Sequence, residues 1–333
     1  MIFNSTSEIT GIINTEIAKL NNFSSNMHII KEPSNLYEPI IYAMGQGGKR
    51  IRPTMLVLSC YINDGNVEDA INPAIGLEVF HNFTLLHDDI MDKADIRRGN
   101  PTVYHKWNTN IAILSGDAMY ALAIKYLTKT NTEFVSPILD VFYKTSIEIC
   151  EGQQYDADFE TAQNVSVEEY TKMIRLKTAV ALAAAMKVGA IIAKRDTILQ
   201  EQLYQYGINV GIAFQIVDDL LDVYADTSVF GKKRGGDILC CKKTFVYIKA
   251  LELADEQTKN ELIRLYNSND LDPEVKINSV IDIFNKLNVK EAVEQVVDEY
   301  HAKADEIIAN VDIEPSKLKM LVEYCNKLSH RNY

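Results

Sequence analysis

Residues 73–93 read PAIGLEVFHNFTLLHDDIMDK, and this stretch decides the fold class of the chain. Its apolar residues recur with the 3.6-residue period of a helix, and Asn72 before Pro73 is a helix start signal. At 1.5 Å per residue, such a helix spans roughly 30 Å. Nearly every other long segment has the same period, and no convincing run alternates as a strand would. The sequence therefore predicts an all-α fold.

Periodicity and start signals predict helices over most of the chain. The expected segments are 6–21, 35–45, 53–63, 73–93, 110–130, 132–155, 167–193, 197–225, 242–254, 256–268, 274–286, 288–310 and 315–329. Two capping boxes are expected, at Ser5-x-x-Glu8 and at Ser166-x-x-Glu169. No shift in composition and no Pro/Ser-rich linker divides the chain. We therefore expect a single domain over residues 1–333, built as a helical bundle.

The composition limits the partners and the compartment. The net charge is −12 at pH 7, which argues against a nucleic-acid surface and gives no support for binding to anionic membranes. No stretch of 18 or more apolar residues indicates a transmembrane segment. The five cysteines have no metal-ligand spacing, and the N-terminus has no signal-peptide pattern. We expect a soluble, cytoplasmic protein.

Two copies of the pattern Asp-Asp-x-x-Asp, at 88–92 and 218–222, lie 130 residues apart. In each copy the first and last aspartates are at i and i+4 and share a helix face. Both copies fall in the last turns of long predicted helices, where the helix dipole already disfavours carboxylates. Clustered aspartate oxygens are ligands that Mg²⁺ takes together with substrate phosphates. The placement therefore indicates metal binding rather than a solvated acidic face.

Basic residues lie close to both acidic patterns in the sequence. The loop GGKRIRP at 47–53 leads into a predicted helix, and backbone amides at a helix N-terminus with Lys and Arg form an anion site. Arg97 and Arg98 follow the first acidic pattern, and Lys232 and Lys242 follow the second. This arrangement suggests two phosphorylated ligands, one held through metal and one held directly by cationic side chains.

The order of these motifs resembles that of the trans-isoprenyl diphosphate synthases of the polyprenyl synthetase family. The matching stretches are GGKRIRP at 47–53, VFHNFTLLHDDIMDKADIRRG at 79–99, LSGDAM at 114–119, RLKTA at 175–179, FQIVDDLLD at 214–222, and GKKRGGD followed by KKT at 231–244. The resemblance implies the isoprenoid synthase fold, which is a helical bundle around a deep central cavity. It also implies a homodimer.

The resemblance implies the reaction as well. Enzymes of this family condense isopentenyl diphosphate with an allylic diphosphate, head to tail and in trans geometry. Mg²⁺ is the implied cofactor, because it neutralises charge on the departing diphosphate. The carbocation that remains needs electron-rich neighbours in a dry cavity, and no Ser, Cys or His nucleophile is required. The implied partners are these two classes of small-molecule diphosphate.

Motif positions assign residues to the parts of the implied site. The expected metal ligands are Asp88, Asp92, Asp218, Asp219 and Asp222. Isopentenyl diphosphate is expected at Lys49, Arg52, His81 and Arg98. The allylic diphosphate is expected at Arg97, Lys177, Thr178, Gln215, Lys232 and Lys242. The residues expected to act in catalysis are Asp88, Asp92, Asp218, Lys177, Thr178 and Gln215.

Product length is expected to depend on side chains N-terminal to the first acidic pattern. Thr84 and Phe83 lie four and five residues before Asp88, and Phe80 lies eight before it. In the family that this sequence resembles, bulky side chains four and five residues before the pattern form a floor for the growing chain. One aromatic beside a small residue favours geranylgeranyl diphosphate, with farnesyl diphosphate as the alternative. An ordinary core role for both aromatics stays open.

One position departs from the family pattern. Cys241 precedes Lys242 where glycine is common, and glycine would tolerate the positive φ that cysteine tolerates poorly. The sequence leaves open whether Lys242 or Lys243 meets the diphosphate.

Other functions stay open on the sequence alone. A class I terpene cyclase shares the all-α fold but normally lacks the second acidic pattern and the GGKRIRP loop. An HD-type metal phosphohydrolase could use His87 and Asp88 with further histidines, namely His28, His81 and His105, but would leave the second pattern unexplained. A non-catalytic partner subunit of a prenyl synthase typically loses an acidic pattern, and both are intact here.

Overall fold

The computed structural model describes residues 1–26, 32–224, 234–268 and 270–329. Over these residues the chain is almost entirely helical, which confirms the all-α prediction. The helices are α1 (Thr6–Asn26), α2 (Ser34–Gly45), α3 (Ile51–Ile62), α4 (Val67–Met91), α5 (Val103–Lys106), α6 (Thr109–Leu127), α7 (Thr132–Thr161), α8 (Val167–Ile174), α9 (Val180–Ile192), α10 (Thr197–Tyr224), α11 (Gly236–Leu239), α12 (Phe245–Leu253), α13 (Glu256–Tyr266), α14 (Pro273–Lys286), α15 (Val289–Ile308) and α16 (Pro315–Ser329). Strands β1 (Ile96–Arg97) and β2 (Asn100–Pro101) form an antiparallel hairpin.

The chain divides into two compact units. Unit 1 comprises Met1–Tyr143, Ala184–Glu201 and Ile313–Leu321, and unit 2 comprises Lys144–Ala183, Gln202–Asp312 and Val322–Tyr333. In unit 1, α4 packs against α3 and α6, and α2 also packs against α6. In unit 2, α12 packs against α8 and α15, and α14 packs against α13 and α15. A single domain over 1–333 and a deep central cavity stay predictions.

Helix α4 begins at Val67 rather than at Pro73, so the predicted start was wrong. The N-cap is Asn66, whose side chain accepts a hydrogen bond from a backbone N–H of the first turn. Pro73 lies inside the helix and has no N–H to offer the carbonyl of Asp69. The hydroxyl of Thr130 donates to that carbonyl instead, at 2.9 Å. The proline is tolerated because a neighbouring segment supplies the missing donor.

The segment predicted as one helix over 167–193 is interrupted. The capping box forms as predicted, because Ser166 and Glu169 exchange side chain–backbone hydrogen bonds. Helix α8 then passes into a π-helical turn at Arg175–Ala179 before α9 begins. Such turns are rare and occur frequently at functional sites. The apolar period did not predict this turn, because one additional residue disturbs the pattern only locally.

Close packing in unit 2 holds the π-helical turn in place. A Cβ atom at Gly152 of α7 would lie 2.3 Å from the backbone nitrogen of Lys177. A Cβ atom at Gly211 of α10 would lie 2.5 Å from the Cα of Ala179. Both helices therefore meet the turn backbone to backbone, and no larger residue fits at either contact.

Smaller differences occur at other boundaries. The Ser5 capping box does not form, because the Glu8 carboxylate accepts a hydrogen bond from the backbone of Asn4 instead. The helix predicted over 242–254 begins only at Phe245, because Thr244 is its N-cap. The hairpin and the short helices α5 and α11 were not predicted. In the described part of the chain, no helix has both the length and the apolar character needed to cross a membrane.

Candidate active site

The first acidic pattern closes helix α4. Asp88 is half-buried in the last turn, and Asp92 is the exposed C-cap residue. No basic residue lies in this last turn, so nothing within it offsets the carboxylates at the negative end of the helix. Asp89 differs from both, because its side chain is 5% exposed and accepts a hydrogen bond from Arg97 Nε at 2.6 Å. Burial raises the pKa of Asp89, and the Arg97 guanidinium opposes that rise.

The GGKRIRP loop is shaped by contacts with Arg98. The guanidinium of Arg98 lies against Gly48, where a Cβ atom would come within 3.0 Å of it. Arg98 also donates a hydrogen bond to the carbonyl of Gly47. Gly48 has a φ of +138°, which L side chains rarely adopt. A glycine at position 48 is therefore needed for Arg98 to lie on this loop.

His81 on α4 is the centre of a positively charged cluster. Burial lowers the pKa of His81 well below its usual value, and nearby positive charges lower it further. Those charges belong to Arg52, Arg98, Arg97 and Arg50. The imidazole is therefore neutral near pH 7 and can hydrogen-bond an anion without adding a charge. Three of the residues predicted for isopentenyl diphosphate, namely Arg52, His81 and Arg98, thus share one electrostatic environment.

The second acidic pattern closes helix α10, and its last turn also lacks a basic residue. Asp218 and Asp222 are half-buried. Asp222 accepts a hydrogen bond from the backbone N–H of Asp237 at 3.0 Å, which ties the helix end to α11. The two patterns therefore match: the outer aspartates are partly accessible and the middle one is buried.

Asp219 has both carboxylate oxygens engaged by protein groups. They accept hydrogen bonds from the Tyr170 hydroxyl at 2.7 Å, from the Phe245 backbone N–H at 3.0 Å and from Gln215 Nε2 at 3.2 Å. Burial raises the pKa of Asp219 to about 7, although these hydrogen bonds pull it down. The arrangement suits an anchor for neighbouring side chains more than it suits a metal ligand.

Hydrogen bonds connect the π-helical turn to α10. Thr178 Oγ1 donates to Gln215 Oε1 at 3.0 Å, and Gln215 in turn donates to Asp219. Lys177 Nζ forms an ion pair with Asp156 of α7 at 2.5 Å. The structure therefore brings Thr178 and Gln215 together and gives Lys177 a partner that the sequence did not identify. A single aspartate on a long helix carries no motif that could have indicated it.

The loop between α11 and α12 adopts the backbone conformation expected of a glycine. Cys241 has a φ of +55°, although it is not glycine. Its Sγ lies 3.1 Å from the carbonyl oxygen of Tyr266 and 3.3 Å from the Nζ of Lys276, which is 3% exposed. These contacts hold the left-handed residue in place.

The two lysines after Cys241 have different surroundings. Lys243 Nζ donates to the carbonyls of Phe159 at 2.7 Å and Glu160 at 3.3 Å, in the last turn of α7. Lys243 therefore neutralises a helix C-terminus. Lys242 is half-buried and stays the candidate for a diphosphate. Lys232, also predicted for the allylic diphosphate, lies outside the described residues.

Four aromatic rings form a cluster in unit 1, N-terminal to the first acidic pattern on α4. Phe80 lies 5.6 Å from Phe83 and 5.0 Å from Phe142, and Tyr120 lies 5.5 Å from Phe83, all between ring centroids. Thr84 turns its hydroxyl back to a carbonyl of its own helix. Tyr120 and Phe142 were missed, because they come from α6 and α7 and share no sequence motif with α4.

The acidic side chains suit Mg²⁺ in a shell that a ligand completes. Among the described residues, no three His, Cys, Asp or Glu side chains are grouped so that they could hold a metal ion. The partly accessible donors are the carboxylates of Asp88, Asp92, Asp218 and Asp222, which are hard oxygen ligands. Mg²⁺ commonly takes one or two carboxylates and fills its octahedron with water and substrate phosphate. Each pair of outer aspartates, taken by itself, therefore has the donor chemistry that fits Mg²⁺ carried with a diphosphate.

Comparisons with known proteins agree on one family. The family model described as polyprenyl synthetase matches residues 33–284. A geranylgeranyl diphosphate synthase of Methanosarcina mazei is 44% identical over 225 residues, 67% of this chain and 69% of its own length. A geranylfarnesyl diphosphate synthase of Natronomonas pharaonis is 39% identical over 239 residues, 66% of this chain and 70% of its own. The crystal structure of a geranylgeranyl pyrophosphate synthase has a TM-score of 0.92 and 39% identity, covering 99% of this chain and 100% of that one.

Proposed function

Because the chain belongs to the polyprenyl synthetase family, we propose that it condenses isopentenyl diphosphate with an allylic diphosphate, head to tail and in trans geometry. It is a prenyltransferase, an isoprenyl diphosphate synthase of the all-α class. The observation that carries the proposal is common to α4 and α10: each ends in partly accessible aspartates with no basic residue in the last turn. Carboxylates at the negative end of the helix dipole destabilise the helix unless cations bind there.

The metal ligands in this proposal are Asp88 and Asp92 on α4 and Asp218 and Asp222 on α10. Bound Mg²⁺ supplies neutralisation of the charge that builds on the leaving diphosphate. Asp219 has another role: its hydrogen bonds to Tyr170 and Gln215 leave it positioning side chains rather than binding metal.

The cluster around His81 binds isopentenyl diphosphate in this proposal. Arg52 and Arg98 supply positive charge, and neutral His81 supplies a hydrogen bond. Lys49, in the GGKRIRP loop with Arg52, is proposed to supply a further positive charge. The residues proposed for the allylic diphosphate are Arg97, Lys177, Lys232 and Lys242. Thr178 and Gln215 present oxygen atoms that stabilise the carbocation electrostatically.

The product in this proposal is geranylgeranyl diphosphate, with farnesyl diphosphate as the alternative. The aromatic cluster of Phe80, Phe83, Tyr120 and Phe142 supports a floor at a defined depth below Asp88. The resemblance to the family also supports a homodimer located in the cytoplasm.

Product analysis tests the function directly. The purified protein is incubated with Mg²⁺, isopentenyl diphosphate and one allylic primer at a time, and the products are separated by chromatography. We expect elongated prenyl diphosphates. A cyclic hydrocarbon would instead indicate a terpene cyclase, and release of phosphate alone a hydrolase. Either result, or no conversion with any primer, overturns the proposal.

Replacing single aspartates tests the metal sites. Asp88→Asn and Asp218→Asn each remove a proposed ligand, so turnover should fall by at least about 10². Asp140→Asn on α7 is the matched control, because Asp140 is exposed and belongs to neither pattern. Near-normal turnover in both pattern variants would contradict the assignment.

A further inference from the structure

A buried ion pair joins the GGKRIRP loop to helix α4. Arg50 is 5% exposed and Glu78 of α4 is 2% exposed, and their side chains meet at 2.5 Å between Nη1 and Oε1. Arg50 also donates to the Met44 carbonyl at 3.1 Å and to Asn14 Oδ1 at 3.4 Å. Each of the three guanidinium nitrogens of Arg50 thus donates a hydrogen bond inside the protein.

The backbone of Arg50 is in an unfavourable conformation. Its φ of +50° and ψ of +37° place it in the left-handed region, which side chains other than glycine and asparagine rarely adopt. Such a conformation persists only where the surroundings enforce it. Arg50 forms its buried ion pair with Glu78 from this conformation. Lys49 directly precedes Arg50 in the loop, and Arg52 lies two residues after it.

Glu78 connects this loop to the helix face that carries His81. Glu78 and His81 are three residues apart on α4, so they lie on adjacent positions of one face. Asn82 Nδ2 donates to the Glu78 carbonyl at 2.8 Å and to its Oε1 at 3.3 Å, which fixes the carboxylate. Glu78 also attracts Arg98 electrostatically, whereas Arg50 and Arg97 repel Arg98.

We infer that Arg50 and Glu78 form a positioning pair for the isopentenyl diphosphate site, an inference that rests on the proposed function. Neither residue touches the substrate. The pair sets the left-handed turn of the loop, and the carboxylate is the buried counter-charge that lets several arginines gather around His81 before an anion arrives. Without the pair, the loop adopts a different conformation, and its cationic side chains no longer lie where they can bind an anion together with His81.

Replacing Glu78 tests the inference through a split in the kinetic constants. Glu78→Gln keeps the shape and removes the charge, so the KM for isopentenyl diphosphate should rise at least about tenfold. The KM for the allylic primer should rise by a smaller factor, because only Arg97 of its proposed ligands belongs to the cluster around His81. Glu68→Gln, an exposed position on the same helix, is the control and should change neither constant. An unchanged KM for isopentenyl diphosphate in Glu78→Gln, or an equal rise in both constants, overturns the inference.

The double variant Arg50→Gln with Glu78→Gln removes both charges and so avoids an unpaired buried ion if a single variant fails to fold. We expect it to lose no more affinity for isopentenyl diphosphate than the worse single variant, because the two residues act as one unit. If the loss of affinity in the double variant equals the product of the losses in the two single variants, the residues act independently and the inference is overturned.

Hydrogen exchange of the loop amides separates this inference from the proposed function. Residues 47–52 should exchange faster in the double variant than in the wild type, whether or not the protein elongates prenyl chains. Unchanged exchange overturns the positioning role even if elongation is normal. Failure of the wild type to elongate overturns the function alone.

Discussion

In the proposed function, Phe83 is the side chain on which product length depends most directly. Its half-buried ring contacts Phe80 and Tyr120, so it is the more accessible member of the aromatic pair on α4. Phe83→Ala removes the ring and opens space for further isoprene units. We therefore expect longer products than those of the wild type from the same primer, measured by chromatography.

The control for this experiment is Tyr126→Ala. Tyr126 is a half-buried aromatic on the same helix as Tyr120, and no ring contact joins it to the four-residue cluster. Its replacement should leave the product distribution unchanged. A wild-type distribution from Phe83→Ala would remove this residue as the floor.

The sequence could indicate side chains that lie in compact motifs and could not indicate their partners. The aspartates of both patterns were predicted because they repeat at helical spacing. Glu78 was not, although an isolated acid in the apolar run GLEVF is a signal for a buried pair. Asp156 and Tyr170 gave no signal, because their partners Lys177 and Asp219 are remote in the chain.

The π-helical turn carries Lys177 and Thr178, two residues of the proposed site. Gly152→Ala places a methyl group against the Lys177 backbone, so we expect a loss of about 1–3 kcal/mol in unfolding free energy. Turnover should fall as well, because the turn carries Lys177 and Thr178. Urea unfolding and steady-state kinetics measure the two effects.

Gly11→Ala is the matched control for that substitution. Gly11 is also a helical glycine, but a Cβ atom there meets nothing within 4 Å. Alanine should stabilise α1 by up to about 1 kcal/mol and leave turnover unchanged. If both variants had the same free energy of unfolding, the close approach at Gly152 would not destabilise the alanine variant.

Element types followed from the sequence more readily than element boundaries. The long helices were predicted because their apolar period persists over many turns. The start of α4 was missed, because Pro73 looks like a first-turn residue unless one knows that Thr130 supplies the lost hydrogen bond. That contact is long-range, so no local pattern announces it.

The free energy of unfolding should depend on pH through the protonation of His81. Its pKa lies well below the ordinary 6.5, so below pH 6.5 the unfolded chain binds a proton that the folded protein does not. This contribution to stability is therefore complete above pH 6.5 and is lost as the pH falls toward the depressed pKa. The loss is at most about 1.4 kcal/mol per pH unit.

Urea unfolding at pH 7.5, 6.0 and 5.0 measures this effect. Wild type should lose more stability on acidification than His81→Gln, which has no imidazole to protonate. The exposed His105 supplies the control, and His105→Gln should retain the wild-type difference. Identical pH profiles for wild type and His81→Gln would show that burial and the surrounding arginines do not suppress the protonation of His81.

The overall class of the protein could be predicted, whereas its division into two compact units could not. Helical periodicity and the absence of alternating runs were sufficient for the all-α fold. The units are assembled from separated parts of the chain, and several helices contribute residues to both. No linker or change in composition marks such a division, because it arises from long-range packing.

The number of residues between the Ser166 cap and α9 matters as much as their identity. A π-helical turn accommodates one residue more than the α-helical path would, and each α-helical residue advances by about 100° around the axis. Deleting Leu176 from this turn would restore a plain α-helix and rotate α8 by that angle relative to α9. Lys177 would then point in a different direction. Turnover would therefore fall even though every residue assigned to the site is still present.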